Sequence, residues 1–316
     1  GNAKKLIDIA KKAGADFVKF QMHFAKEETL KDAFNPSYFS EENRFEYFNR
    51  TSFNLYQWKS LIGYSQSKKI NFMCSVFSLR AFETLIKLKV KNIKIPSGEL
   101  TNLPLLKSIN KIKGLQIFLS TGMSSWKEIN TALNFLKDQK IVLMQCTSIY
   151  PCPENLVGLN VIQEMKKKYA KKYEYGFSDH TNGNEAAICS LAYGAKYIEK
   201  HITFSKQMYG SDAKFAMEPD EFLNFCKSIK KVKKIINHPV NKNDLRPFSK
   251  MKITFEKKII AKKNLNKGVK IKISDLNFKK SKSGIRAFEY HSILDTVTKK
   301  KILKDRPINK LDLKLK

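Results

Sequence analysis

Long apolar runs are missing from this chain. None approaches the roughly 20 consecutive apolar residues of a membrane span, so no membrane partner is expected. Cysteine is scarce too, with five in 316 residues at positions 74, 146, 152, 189 and 226. Their irregular spacing forms no CxxC pair and no disulfide ladder, and several fall in apolar runs. Reduced core thiols in a cytoplasmic protein are the simpler reading. No glycine signature of a dinucleotide site is present, and the opening Gly1-Asn2-Ala3-Lys4 has neither an initiating Met nor a signal-peptide pattern. Acidic residues are few, 29 against 60 basic ones, giving a net charge of +31. Such a charge suggests nucleic acid. However, arginine is rare, so nearly all of it is lysine. Runs such as Lys166–Lys168 and Lys299–Lys301 sit on or beside amphipathic segments, as solvated faces do. We expect no nucleic-acid partner.

Short, nearly continuous apolar runs recur along the chain. They lie at Asp16–Gln21, Phe72–Phe77, Ile93–Pro96, Leu115–Ser120, Val142–Thr147, Tyr175–Ser178 and Tyr197–Ile202, as strands buried on both faces require. Helical patterns are expected at about 3–13, 54–69, 79–89, 102–111, 124–137, 158–169, 183–193 and 218–236. The last has Pro219 near its start and a stripe through Phe222, Phe225, Ile229, Val232 and Ile236. Helix first, then seven strand–helix units, describes a (β/α)8 TIM barrel lacking its first strand. An open doubly wound sheet is the alternative. The aromatic segment 24–53 is long for a connection and reads as a lid or an interface arm. After about Asn237 the texture changes to a linker, 237–249, and then a small β-rich domain, 250–316. Its expected strands are Lys258–Ala261, Val269–Ile273 and Lys300–Ile302, with turns at Asn264–Gly268 and Lys280–Gly284.

Two histidines stand out. His180 and His201 each end a strand-like run, and a helical segment closed by Gly194 lies between them. In a strand–helix–strand unit both imidazoles sit at the same end of neighbouring parallel strands, where α/β proteins place their chemistry. Strand alternation puts Lys19 and Gln21 on one face, and Glu199 and His201 on one face. Lys94 lies in another apolar strand, with Ser97 and Glu99 just beyond it. Charges in strands buried on both faces are costly unless they pair or line a cavity. Each alone could be a salt bridge, whereas Lys19, Lys94 and Glu199 together suggest a polar site in a barrel mouth. Ser75, Ser97, Ser120, Ser148 and Ser178 recur at the C-terminal ends of strands, where hydroxyls and loop amides can hold a phosphate or carboxylate. Neutral imidazoles of His180 and His201 could bind a divalent metal and leave positions open for a substrate oxygen and water.

At these residues the sequence resembles the sialic acid synthase family, which includes N-acetylneuraminate, legionaminate and pseudaminate synthases. The matching stretches are Ala13–Asp16 through Lys19-Phe20-Gln21, Lys94–Glu99, Leu119–Ser125, Gln145–Pro151, Ser178–Thr181 and Glu199-Lys200-His201. The terminal region looks like the family's SAF (antifreeze-like) domain. The resemblance implies condensation of phosphoenolpyruvate with an N-acylated amino sugar of the N-acetylmannosamine type, giving a nine-carbon 2-keto acid and phosphate. It implies Mn2+ or Mg2+ on His180 and His201. It implies catalytic roles for Lys94, Glu99, Glu199 and Asp212. Substrate binding would fall to Lys19, Gln21, Ser75, Ser97, Ser120, Ser148, Tyr150, Ser178 and Lys280, with Gln21, Tyr150 and Asp212 on the sugar side. A homodimer whose SAF domain caps the partner's site is also implied.

Two departures bear on activity. The family's first strand carries Glu-Ile-Gly followed by Asn-His-Asn-Gly, and Gly1-Asn2 looks like the tail of that element. A SAF-domain arginine of the family maps to Lys280, the usual Pro-Gly after it reads Ser281-Lys282, and Arg286 is off register. A guanidinium fork and an ammonium are not equivalent donors. Three other readings compete: another phosphoenolpyruvate aldolase on the same barrel, a non-catalytic or inactive carbohydrate-binding homologue, and a basic nucleic-acid binder.

Overall fold

In the computed structural model, which describes residues 1–36 and 42–314, the chain divides into two compact units, Gly1–His238 and Pro239–Lys316. The first unit opens with α1 (Asn2–Ala13), whose last turn is closed by Gly14 in the left-handed region at φ 81°. A side chain there would be strained, which is why glycine ends this helix. Next come β1 (Phe17–Met22), the short α2 (Ala25–Glu28), α3 (Arg44–Thr51) and α4 (Leu55–Ser67). Strand–helix pairs then alternate: β2 (Asn71–Val76) with α5 (Leu79–Lys87), β3 (Asn92–Ile95) with α6 (Leu103–Asn110), and β4 (Gln116–Ser120) with α7 (Trp126–Phe135). After them come β5 (Lys140–Cys146) with α8 (Asn160–Tyr169), β6 (Glu174–Ser178) with α9 (Glu185–Tyr193), and β7 (Tyr197–Glu199) followed by α10 (Pro219–Ile236).

The seven strands form one parallel sheet in the order β1 to β7. It is a curled, partial (β/α)8 barrel. Within the described residues the expected helices are present to within a few residues at each end. Of the expected 24–53 arm, α2 and α3 are helical, and residues 37–41 lie outside the described residues. β7 is shorter than expected. It ends at Glu199, and Ile202 makes only an isolated bridge to Met217.

Strand alternation sorts the inward side chains into layers. Met73, Phe118, Val142 and Met144 form an apolar cluster, with Phe17 and Tyr197 packed against it. The Phe118 ring meets Phe17 edge-on at 5.6 Å and Tyr197 at 5.3 Å. One step further along the same strands come Lys19, Ser75, Lys94, Ser120, Ser178 and Glu199. The outward side chains join those of the helices in the main core, through Ile7, Leu85, Ile93, Leu106, Ile117 and Leu143 among others. The barrel is thus plugged by hydrocarbon on one side of the polar layer and open on the other.

The second unit contains α11 (Ser249–Phe255) and two antiparallel pairs, β8 (Lys257–Ala261) with β9 (Leu276–Lys280) and β10 (Val297–Thr298) with β11 (Leu313–Lys314). Two expected strands are corrected here. Val269–Ile273 and Lys300–Ile302 are not strands and make only single bridges, Lys270 to Val297 and Leu265 to Ile302. Their apolar residues Ile271 and Ile302 are buried in the core of this unit, and each bonds through its backbone to one partner segment only briefly. The two halves of this unit repeat one another. Asp275 accepts from the Lys272 amide (2.9 Å) and pairs with Lys263 (2.7 Å). Asp312 accepts from the Asn309 amide (2.8 Å) and pairs with Lys300 (2.7 Å). Leu265 and Ile302 exchange both backbone hydrogen bonds, each 2.8 Å, where the halves meet.

Candidate active site

The polar layer is held together by one carboxylate. Lys94 Nζ lies 2.8 Å from both oxygens of Glu199, Lys19 Nζ 3.7 Å from Oε1, and Ser178 Oγ donates to Oε1 at 3.0 Å. Lys19 also donates to Ser75 Oγ at 3.4 Å. These ion pairs lie inside the barrel mouth. Burial alone would raise the Glu199 pKa, but Lys19 and then Lys94 outweigh it and hold the carboxyl well below the ordinary range. Burial pulls the Lys94 pKa down against the opposing pull of Glu199. Two ammonium groups on one carboxylate leave a net positive cluster, and an anion is what such a cluster attracts.

Hydroxyls surround that cluster. Ser120 Oγ is buried and has no hydrogen-bond partner among the described residues. A buried unsatisfied hydroxyl costs about 1–3 kcal/mol, so a ligand oxygen is the natural partner. Ser97 Oγ accepts from the Gly122 amide at 3.1 Å. A Cβ on Gly122 would run into Ser148 Oγ and come within 2.8 Å of Ser97 Oγ. The loops after β3, β4 and β5 therefore converge at one glycine. Glu99 is set back from this group and accepts from Asn102 Nδ2 at 2.8 Å; burial pushes its pKa up.

Beyond the lysines sit the histidines. Their rings stack at 27° with centroids 5.7 Å apart. His180 Nδ1 is 3.0 Å from the Thr147 carbonyl and so donates to it, which leaves Nε2 as the nitrogen that could meet a ligand when the ring is neutral. Burial lowers the His180 pKa, but Cys146 Sγ, 3.8 Å from Nδ1, and the Thr147 carbonyl more than compensate. Burial also lowers the His201 pKa, against Asp212, whose Oδ2 is 3.7 Å from His201 Nδ1. Among the described residues no three His, Cys, Asp or Glu side chains converge on one point that could hold an ion. Two imidazoles with their Nδ1 atoms turned to oxygen partners fit a divalent ion that takes its remaining ligands from substrate and water.

A cavity of about 170 Å3 opens over this end. Gln21, Tyr150, His201 and Asp212 line it, and the Tyr150 ring lies 4.2 Å from His180. Its wall also includes His23, Arg44, Phe48, Phe77 and Ser211, none of which the sequence singled out. His23 lies two residues beyond Gln21, on the same face of the strand end, so alternation could have found it. The His23 ring is stacked between Phe48 (3.8 Å) and Phe77 (4.0 Å), with Nδ1 at 2.8 Å from Glu28 and Nε2 at 3.2 Å from Gln21 Oε1. Arg44 and Phe48 come from α3, where nothing local in the sequence marks them. The arm is tied down by Glu42, which receives Arg50 Nη2 and the Tyr209 hydroxyl, both at 2.5 Å. Lys280 belongs to the second unit, where its Nζ lies 4.8 Å above the Phe255 ring.

Four of the five cysteines are buried, as expected, and Cys189 is exposed. No helix among the described residues is long and apolar enough to cross a membrane.

Comparison with known proteins places this geometry. Residues 6–241 match the model of the NeuB family. The chain is 36% identical to the N,N'-diacetyllegionaminic acid synthase of Campylobacter jejuni, over 97% of this chain and 93% of that protein. It is 24% identical to the pseudaminic acid synthase of Helicobacter pylori, over 98% and 93%. Among solved structures it is similar to the N-acetylneuraminic acid (sialic acid) synthetase of Leptospira borgpetersenii, with a TM-score of 0.69, 28% identity, and 80% and 86% of the two chains covered. A fold likeness alone links it to a putative spore coat polysaccharide biosynthesis protein E of Chromobacterium violaceum, with a TM-score of 0.72 at 19% identity. On the length and identity of these matches, the chain belongs to the NeuB family.

Proposed function

We propose that this chain is a sialic-acid-type synthase, a transferase that condenses phosphoenolpyruvate with an N-acylated amino sugar and releases phosphate. The observation that carries the reading is the positive cluster of Lys19, Lys94 and Glu199 beside the unsatisfied Ser120 hydroxyl, directly below the His180–His201 pair. Phosphoenolpyruvate carries two anionic groups, and this cluster offers two ammonium groups and several hydroxyls at one depth. Lys94, Lys19, Ser75, Ser97, Ser120, Ser148 and Ser178 would hold it. Gln21, Tyr150 and Asp212, which line the cavity above, would orient the open-chain sugar aldehyde. His180 and His201 would hold Mn2+ or Mg2+, which when bound supplies Lewis acidity at the aldehyde oxygen.

The chain's own groups then have defined tasks. The C3 carbon of phosphoenolpyruvate bonds to the aldehyde carbon as the aldehyde C=O π bond opens to an alkoxide. Water adds at the cationic C2, one of its protons ends on that alkoxide, and the other leaves with phosphate as the C2–O bond to phosphate breaks and the C2 ketone forms. The lysines stabilise the charge on the departing phosphate, and Glu199, held ionised, faces the cationic character at C2. Asp212 steadies His201, and Glu99, whose carboxyl is raised by burial, stands in the supporting shell.

The 250–316 region would be a SAF domain, with Lys280 in place of the family arginine. We place the protein in the cytoplasm as a homodimer. The exposed side chains of Phe288 and Leu311 in that unit support a surface covered by a partner, and sedimentation tests it. The reaction is tested by phosphate release from phosphoenolpyruvate. Release should need both Mn2+ and an N-acetylmannosamine-type sugar. Sugar binding without any condensation would favour the non-catalytic reading instead.

A further inference from the structure

The sheet ladder between β6 and β7 ends at the pair Ser178 and Glu199. Asp179 and Lys200 occupy the next rung, and His180 and His201 the one after. Beyond the last pair only one backbone bond spans the two strands, from the Asp179 amide to the Glu199 carbonyl at 3.0 Å. Parallel strands that stop pairing diverge, so something else must keep two side chains two rungs further on at a fixed spacing.

Side chains supply that link. Lys200 Nζ donates to Asp179 Oδ2 at 2.8 Å and to the Thr181 carbonyl at 2.5 Å, and the Thr181 amide donates to Asp179 Oδ1 at 2.8 Å. These bonds brace residues 179 to 181 against residue 200. The side chains of Lys200 and Asp179 are 2% and 0% exposed, on the face of the sheet opposite the histidines. A buried ion pair is weak evidence for stability, since packed apolar side chains of similar volume often do as well. Its best-attested use is to fix register.

We infer that the Asp179–Lys200 pair is a positioning device that sets the separation of His180 and His201. The inference rests on the reading that those histidines hold a divalent ion. Neither Asp179 nor Lys200 touches the cavity, so they act through the histidines alone.

The test is Mn2+ affinity of the whole chain, measured by titration calorimetry without substrate, alongside thermal unfolding. Asp179→Asn with Lys200→Met removes both charges and keeps volume. It should unfold within a few degrees of the native protein yet bind Mn2+ about 10–100-fold more weakly, the usual effect of losing an outer-shell partner. His180→Ala should weaken binding further. Native affinity in the double variant, with His180→Ala weakened, overturns the positioning role and leaves the metal reading standing. Native affinity in His180→Ala overturns the metal reading itself. Should the double variant not fold, Asp179→Glu, which keeps both charges and lengthens the link by one methylene, should still bind Mn2+ several-fold more weakly, and unchanged affinity there overturns the inference.

Discussion

Lys94 and Glu199, 105 residues apart in sequence, meet with both carboxylate oxygens 2.8 Å from one ammonium group. Lys94 is 2% exposed, and Met144 Sδ, 3.6 Å away, marks where the hydrocarbon below begins.

Removing one partner should be worse than removing both. Lys94→Met leaves Glu199 facing only Lys19 and should cost about 3 kcal/mol of stability, as breaking a buried pair does. Adding Glu199→Gln should recover most of that loss in denaturant unfolding. Phosphate release should stay at least a hundredfold down in both.

Gly122 is a second sensitive point. Gly122→Ala puts a methyl group into Ser148 Oγ, and 3.2 Å from the Cys146 carbonyl, where backbone cannot give way. Overpacking of this kind costs about 1–3 kcal/mol. The sharper effect should be on substrate: the KM for phosphoenolpyruvate should rise about tenfold or more, with the sugar KM little changed.

The arm offers the opposite pattern. Arg50→Ala leaves Glu42 with the Tyr209 hydroxyl and removes the guanidinium that lies 5.6 Å from each of the Tyr47 and Tyr209 rings. These contacts are exposed, so the melting temperature should barely move. The sugar KM should rise several-fold, because α3 carries Arg44 and Phe48 into the cavity wall.

Acid should weaken the second unit. Burial would raise the Asp275 and Asp312 pKa values, but Lys263 and Lys300, with backbone amides, outweigh it and lower both. A folded-state value below the unfolded one stabilises above the ordinary aspartate range, near pH 4, and that stability vanishes as pH falls through the depressed values. Melting of this unit should therefore fall steeply between about pH 5 and pH 2. Asp275→Asn should lower stability at pH 7 and flatten that slope.

The barrel and the histidine pair were legible because buried parallel strands leave unbroken apolar runs, and charges inside them stand out. Lys19, Lys94, Glu199, His180 and His201 all announced themselves in this way. Arg44 and Phe48 did not, since their place in the wall depends on how a long connection folds back, which no local period encodes. Two strands of the second unit depart from expectation for a related reason. Ile271 and Ile302 look like strand residues and do make backbone hydrogen bonds to a partner segment, but the pairing is too brief to become a strand. The repeat of Lys263 and Asp275 by Lys300 and Asp312 leaves few identities between the halves, so only the folded pairs expose it.

The apolar plug beneath the polar layer has an electrostatic consequence. Phe17, Met73, Phe118, Met144 and Tyr197 close one side of the ammonium pair with material that cannot solvate charge. Field from Lys19 and Lys94 is weakly screened below and can be answered only from the mouth. The floor of the barrel thus acts as a reflector: it gives the positive cluster a direction, and an arriving anion meets that field face on.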